Sequence, residues 1–210
     1  MNSDANTRRK DTRGEISGCA LRLFAERGYA AVSMRDIAEA VGVRQGAIYN
    51  HFASKQELLA ELMTSHLEAV LRAHEAALAG VAGPVARLEA FARFHVGYHL
   101  DYPADVFIAY MELRSLEPEG FRRINAMRSR YEGTLRAILA EGAAAGLFSI
   151  GDPAVHARAL LAMLTGVTVW YREGGRLDRA TIIEDYVRAT LQSVGLRMPR
   201  GGDKECSTQP

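Results

Sequence analysis

The side chains best equipped for chemistry stand together at Arg44-Gln45-Gly46-Ala47-Ile48-Tyr49-Asn50-His51-Phe52. They offer a guanidinium, two amides, a phenol and an imidazole, while Ile48 and Phe52, at i and i+4, are the main groups suited to a core. A short helix with an apolar anchor and a face of donors and acceptors fits a DNA major groove, because base edges there present distinct hydrogen-bonding patterns. The same run would also sit on the surface of some other α protein. No catalytic pattern competes with it: the sequence pairs no nucleophile with a base, has no phosphate loop and no catalytic pair of carboxylates.

Such a helix needs neighbours to aim it. Ser33-Met34-Arg35-Asp36 reads as a helix start, with the serine accepting from a first-turn amide and the acid at the positive end of the dipole. Ile37, Ala38 and Val41 then share a face, Gly42 stands where a left-handed residue stops the helix, and Val43 can tuck under the turn. Ser33–Phe52 is therefore expected to be a helix-turn-helix. Upstream, Ile16, Ala20, Leu23 and Phe24 follow helical spacing from about Asp11 to Arg27, with Gly28 as the stop. Three helices are about the minimum that buries a shared core in ~45 residues. Residues 1–10, with Arg8, Arg9 and Lys10, show no apolar periodicity and read as a flexible arm. Downstream, Ser54-Lys55-Gln56-Glu57 opens a helix reaching Leu78, roughly 37 Å long at 1.5 Å per residue and able to act as a lever.

These pieces resemble the N-terminal domain of the TetR family of transcriptional regulators. The matching residues are Phe24-x-x-x-Gly28-Tyr29, Ser33-x-x-Asp36-Ile37-Ala38-x-x-Val41-Gly42-Val43, Gly46-x-Ile48-Tyr49-x-His51-Phe52 and Ser54-Lys55-x-x-Leu58, together covering about residues 11–60. The resemblance implies a homodimer whose heads enter successive major grooves of a double-stranded operator, and a helical domain whose small-molecule effector lowers DNA affinity. It further implies that Ser33, Tyr49 and Lys55 contact phosphates, that Arg44, Gln45, Ala47 and Asn50 read base edges, that His51 does either, and that Gly46 permits close approach. Arg44 departs from the family, standing where a capping serine or threonine is common, so that helix start loses a cap and gains a cation.

Beyond Leu78 five helices are expected at about 84–100, 103–115, 118–145, 153–172 and 178–195, started by prolines or Asp152-Pro153 and ended by Gly146 and Gly174-Gly175. The fold class is all-α, about nine helices, with residues 11–55 as the DNA-binding domain, 56–196 as the effector and dimerisation domain, and 197–210 as a flexible tail. Phe91, His95 and His99 share a face; an HxxxH pair can chelate a metal, but nothing completes a site, so pocket or core roles are expected and no metal or cofactor. With Phe107, Tyr110, Met111, Tyr131, Trp170 and Tyr171 they either line an effector pocket or fill the core.

Trp170-Tyr171-Arg172-x-Gly174-Gly175-x-Leu177 resembles a stretch of TetR-like regulators that respond to acyl-CoA thioesters, although the same residues also make a helix terminus with the arginine on its last carbonyls. The family likeness assigns dimerisation to the last two helices, hence to Leu160, Leu164, Gly166, Ile183, Tyr186, Val187, Leu191 and Val194.

Charge is unevenly spread: residues 1–55 sum to +3 and residues 56–210 to −2. The basic end is the helix-turn-helix end, as a positioned phosphate contact surface requires. Two cysteines without metal or disulfide spacing, and no span long enough for a bilayer, lead to the expectation of a soluble protein in the reducing cytoplasm. The expected function is a ligand-released repressor, with an activator, a small-molecule carrier or an enzyme bearing an incidental helix pair as the alternatives.

Overall fold

A computed structural model describes the backbone of residues 2–196 and the side chains of residues 12–196. Every regular element among them is helical: α1 Asn2–Arg27, α2 Met34–Val41, α3 Gln45–Tyr49, α4 Lys55–Leu78, α5 Pro84–Asp101, α6 Pro103–Met111, a 3-10 turn Leu113–Ser115, α7 Pro118–Ala144, α8 Pro153–Thr165, α9 Val167–Trp170 and α10 Arg179–Ser193. With α9 counted as the continuation of α8, these described segments make nine helices, as expected. None is long and apolar enough to cross a membrane.

Boundaries differ from expectation in four places, one of them α3, which ends at Tyr49 instead of running to Phe52. The helix α1 runs back to Asn2, so the backbone of residues 2–10 is helical where an arm was expected; that stretch holds neither glycine nor proline to break it. The expected 103–115 helix stops at Met111, because Glu112 leaves helical geometry at φ −97°, ψ 7° and the chain tightens into the 3-10 turn. The expected 153–172 helix is interrupted at Gly166, where the Val169 amide bonds back three residues to the Gly166 carbonyl at 3.2 Å. The expected tail 197–210, with Cys206, lies outside the described residues.

The described residues form two compact units: residues 2–76 join Tyr98–Gly133 in the first, and Ala77–Gly97 with residues 134–196 make the second. Core chemistry explains the larger first unit. The expected head residues Ile16, Ala20, Phe24, Ile37, Ile48 and Phe52 are buried in one cluster that also takes Leu58, Leu59, Ile108 and Ile124 from α4, α6 and α7 and Leu116 from the end of the 3-10 turn. Three short helices leave apolar surface uncovered, and α1 packs against α6 as well as α2 to close it. The Tyr29 amide donates to Glu112 at 2.9 Å, and Gln56 donates to the Ser115 carbonyl at 2.7 Å while accepting from the Glu117 amide at 3.1 Å. The turn between α6 and α7 is thus tied to both ends of the helix-turn-helix region.

In the second unit α5 lies against α7 and α10 through Arg87–Glu141 and through Arg93, whose guanidinium bonds Glu89 and Glu184. Arg179 adds a 2.9 Å bond to the Gly97 carbonyl. Asp152 and Asp178 cap α8 and α10, and amide hydrogen bonds hold both carboxyls below their usual range. Gly142 faces Phe148 so closely that a Cβ there would lie 2.0 Å from the ring.

Candidate nucleic-acid interface and ligand-binding residues

The helix pair forms as its residue types dictate. Ser33 accepts from the Asp36 amide at 3.2 Å, and the Asp36 carboxylate returns the cap by accepting from the Ser33 hydroxyl at 2.6 Å and the Ser33 amide at 2.7 Å; the hydroxyl bond first and the amide bond second hold the carboxyl low. Gly42, at φ 79°, ends α2 in a Schellman arrangement: its amide bonds the Glu39 carbonyl at 3.1 Å and the Val43 amide bonds Ala38 at 3.0 Å. Arg44 then opens α3 in extended geometry with no side-chain cap, since a guanidinium has only donors and cannot accept from the first-turn amides.

Residues 44–52, α3 with its N-cap and the turn after it, have two faces. Ile48 and Phe52 are fully buried and fix the segment to the first core. Arg44, Gln45, Gly46, Tyr49 and Asn50 are exposed, Tyr49 to 48%, while Ala47 and His51 are half-buried. The structure thus brings the expected base readers onto one short surface. A Cβ at Gly46 would meet nothing, which leaves that position open to a close partner.

Two cations nearby have roles that the sequence pattern does not announce. Lys55 donates to the Tyr29 and Val32 carbonyls at 2.8 and 2.7 Å with its ammonium 4.0 Å from the Tyr29 ring centroid, so it clamps the α1–α2 connection to the start of α4. Burial lowers its pKa. A phosphate contact from Lys55 would use its remaining proton. Arg13 of α1 lies over Phe52, bonds Glu61 and donates to the His51 carbonyl. Only tertiary packing reveals either role, since the partners are far apart in sequence.

The expected pocket residues divide between the units. In the second, Phe91 and His95 are fully buried with rings stacked at 6.0 Å, and His95 Nε2 lies 3.0 Å from Thr165 Oγ1. In the first, buried His99 meets Tyr110 edge-on, and buried Tyr131 meets His74 at 5.0 Å; burial pushes the Tyr131 phenol well up. Arg128 lies 4.4 Å over the Tyr110 ring, and Phe107, Tyr110 and Met111 are exposed. Trp170 and Tyr171 line a described cleft of about 310 Å3 with Arg172, Arg176, Leu177 and Ile182. A second cleft, of about 530 Å3, lies between α4 and α7 and is lined by Arg72, Arg123, Arg130, Glu68 and Glu75 around Leu71 and Met127.

The residues expected at a dimer interface are largely turned inward. Leu160, Leu164, Ile183, Val187, Leu191 and Val194 are buried within the chain itself, and Tyr186 and Gly166 are half-buried. A helix that is apolar nearly all round does not reveal which side its own fold covers. Besides Arg158 and Trp170, what remains outside on α8 and α9 is Val155, Ala159, Ala162 and Val169. These follow an i, i+4, i+7, i+14 pattern along one stripe, with Gly166 at i+11.

Comparison with known proteins agrees with this architecture. Residues 19–62 match the family described as bacterial regulatory proteins, tetR family, and residues 81–194 match the tetracyclin repressor-like C-terminal domain. The chain is 30% identical over 186 residues to the HTH-type transcriptional repressor KstR2 of Mycobacterium tuberculosis, covering 87% of this chain and 92% of that one. A tetR-family regulatory protein from Rhodococcus RHA1 superposes with a TM-score of 0.84 at 30% identity, over 89% of this chain and 98% of that chain. AibR, solved in complex with isovaleryl coenzyme A and operator DNA, superposes with a TM-score of 0.79 at 27% identity, over 85% and 97% of the two chains. The buried anchors of α3, its exposed polar face and these matches lead to one conclusion: the chain belongs to the TetR family of transcriptional regulators.

Proposed function

We propose that the protein is a homodimeric repressor that reads a palindromic operator with α3 and is released from it by a coenzyme A thioester. The observation that carries the DNA reading is the division of the 44–52 segment built on α3, with Ile48 and Phe52 fully buried and Arg44, Gln45, Tyr49 and Asn50 facing outward. Amides there select adenine or accept from base edges, and Arg44 reaches guanine or phosphate. Support for the repressor sense comes from likeness to KstR2, and support for the effector class from likeness to AibR.

Dimerisation uses the exposed stripe Val155, Ala159, Ala162 and Val169, where small side chains and Gly166 let two copies of α8 approach closely. Ligand shifts the population toward a conformation whose two heads no longer match half-sites one helical turn apart. DNA from upstream of the protein's own gene is titrated with protein in a gel shift, and a series of acyl-CoAs is then added. Release of the DNA by a thioester at micromolar concentration is the expected result; retention of the complex with every thioester, while unrelated small molecules release it, overturns the effector assignment.

A further inference from the structure

The loop from Tyr171 to Asp178 and the start of α10 wall the cleft of about 310 Å3, and its side chains make a coherent chemical set. Two guanidiniums, two aromatic rings and two aliphatic groups line it, and no carboxylate does. Trp170 is fixed from one side: its Nε1 donates to the Tyr186 hydroxyl at 3.2 Å and the rings lie nearly parallel, 17° apart, at 6.4 Å. Trp170 nonetheless keeps 52% of its surface exposed. Arg172 is held at the rim by bonds from Nη1 to the Tyr171 and Val169 carbonyls at 2.7 and 3.4 Å. Arg176 is exposed and has no hydrogen bond or ion pair among the described residues.

A rigid indole with an open face takes a heterocyclic base, and guanidiniums beside it take phosphate through paired charge-assisted hydrogen bonds. The volume sits at the low end of the about 300–1,000 Å3 typical of ligand clefts, which suits a base with a phosphorylated sugar and is too small for an entire acyl-CoA. The larger cleft between α4 and α7 is a poorer phosphate site, because Glu68 and Glu75 line it together with its three arginines.

We infer that the Trp170–Arg176 cleft receives the phosphorylated adenosine end of the effector, with adenine against Trp170 and phosphate on Arg176. This rests on the effector class proposed above and assigns to it a place in the chain. Free nucleotides share the chemistry, so the test separates them from coenzyme A.

Full-length protein is titrated calorimetrically with an operator-releasing acyl-CoA, free coenzyme A, ADP and the matching S-acyl-pantetheine, which lacks the nucleotide. For the wild type, removing the nucleotide weakens binding at least about tenfold. Arg176→Ala and Trp170→Ala each lower acyl-CoA affinity about tenfold and leave S-acyl-pantetheine binding unchanged, which also shows that both variants fold. Arg176→Lys recovers part of the loss, and Arg123→Ala in the other cleft changes nothing.

If both variants bind acyl-CoA as the wild type does, or if the pantetheine compound binds the wild type as tightly as acyl-CoA, the cleft assignment is overturned while the effector class stands. ADP binding as tightly as coenzyme A overturns it in favour of a free nucleotide. Should coenzyme A bind the wild type and be lost in both variants while no thioester releases DNA, the cleft stands and the effector class falls. Absence of any binding removes both.

Discussion

Arg13 lies across the ring of Phe52, its guanidinium carbon 4.2 Å from the ring centroid, and from there donates to the His51 carbonyl and to Glu61. One side chain of α1 therefore holds the turn after α3 against α4. Arg13→Ala removes a cation–π contact, a carbonyl partner and an ion pair that is partly open to water, so it should cost about 1–2 kcal/mol in urea unfolding. Operator affinity should fall with no change in base preference, because Arg13 holds the reader in place without reading. Arg13→Lys should recover only part, since an ammonium lacks the planar fork.

Leu160 and Ala162 separate the chain's own core from its proposed partner surface. Leu160 is buried, so Leu160→Ala should destabilise by about 2–5 kcal/mol and leave the oligomeric state unchanged. Ala162 is exposed in the small-residue stripe, so Ala162→Glu should yield monomers in analytical ultracentrifugation with little loss of helical content. A dimeric Ala162→Glu protein would move the interface elsewhere.

Most of the fold was legible in the residues because its signals are local. Ser33 with Asp36 and Gly42 with Val43 act within a turn, and both caps formed where they were expected. Lys55 and Arg13 were less legible, since their partners Tyr29, Val32 and Glu61 are set by packing between helices. The last helices show the same limit: periodicity identifies the apolar face of α10, but Ile183, Val187 and Leu191 turned out to spend that face on the chain's own core. The cleft at Trp170 was half legible. Arg172 indeed caps its helix terminus, while Arg176, four residues on, stays available.

Gly142 is required by contact rather than by backbone angle. A methyl group there would overlap the Phe148 ring at 2.0 Å, so Gly142→Ala should destabilise by about 1–3 kcal/mol. Phe148→Leu in the same chain should relieve part of that loss, which thermal melts of the single and double variants would show.

His66 is buried beside Asp105, with Nδ1 3.9 Å from the carboxylate. That distance is at the limit for an ion pair, and desolvation dominates: burial lowers the His66 pKa to about 4 and raises that of Asp105. Between about pH 6.5 and 4 the unfolded chain binds the imidazole proton and the folded chain does not. Stability from His66 is therefore complete above pH 6.5 and falls toward pH 4, by at most about 3 kcal/mol. Asp105 works in the opposite sense: burial raises its pKa, so the folded chain holds that proton more tightly than the unfolded chain and the stability it contributes is lost as pH rises. His66→Gln should flatten the fall between pH 6.5 and 5 in urea titrations.

The most direct test of the DNA reading compares wild-type, Tyr49→Ala, Gln45→Ala and Asn50→Ala proteins on DNA from upstream of their own gene, with every base pair of the bound site varied at fixed salt. Selective, salt-sensitive binding by the wild type is the expected result. Tyr49→Ala should weaken binding to all sequences alike, whereas Gln45→Ala and Asn50→Ala should each relax preference at particular base pairs, by about 1–3 kcal/mol. Wild-type binding with no sequence preference, or three variants that lose affinity with every base preference intact, would contradict readout by α3.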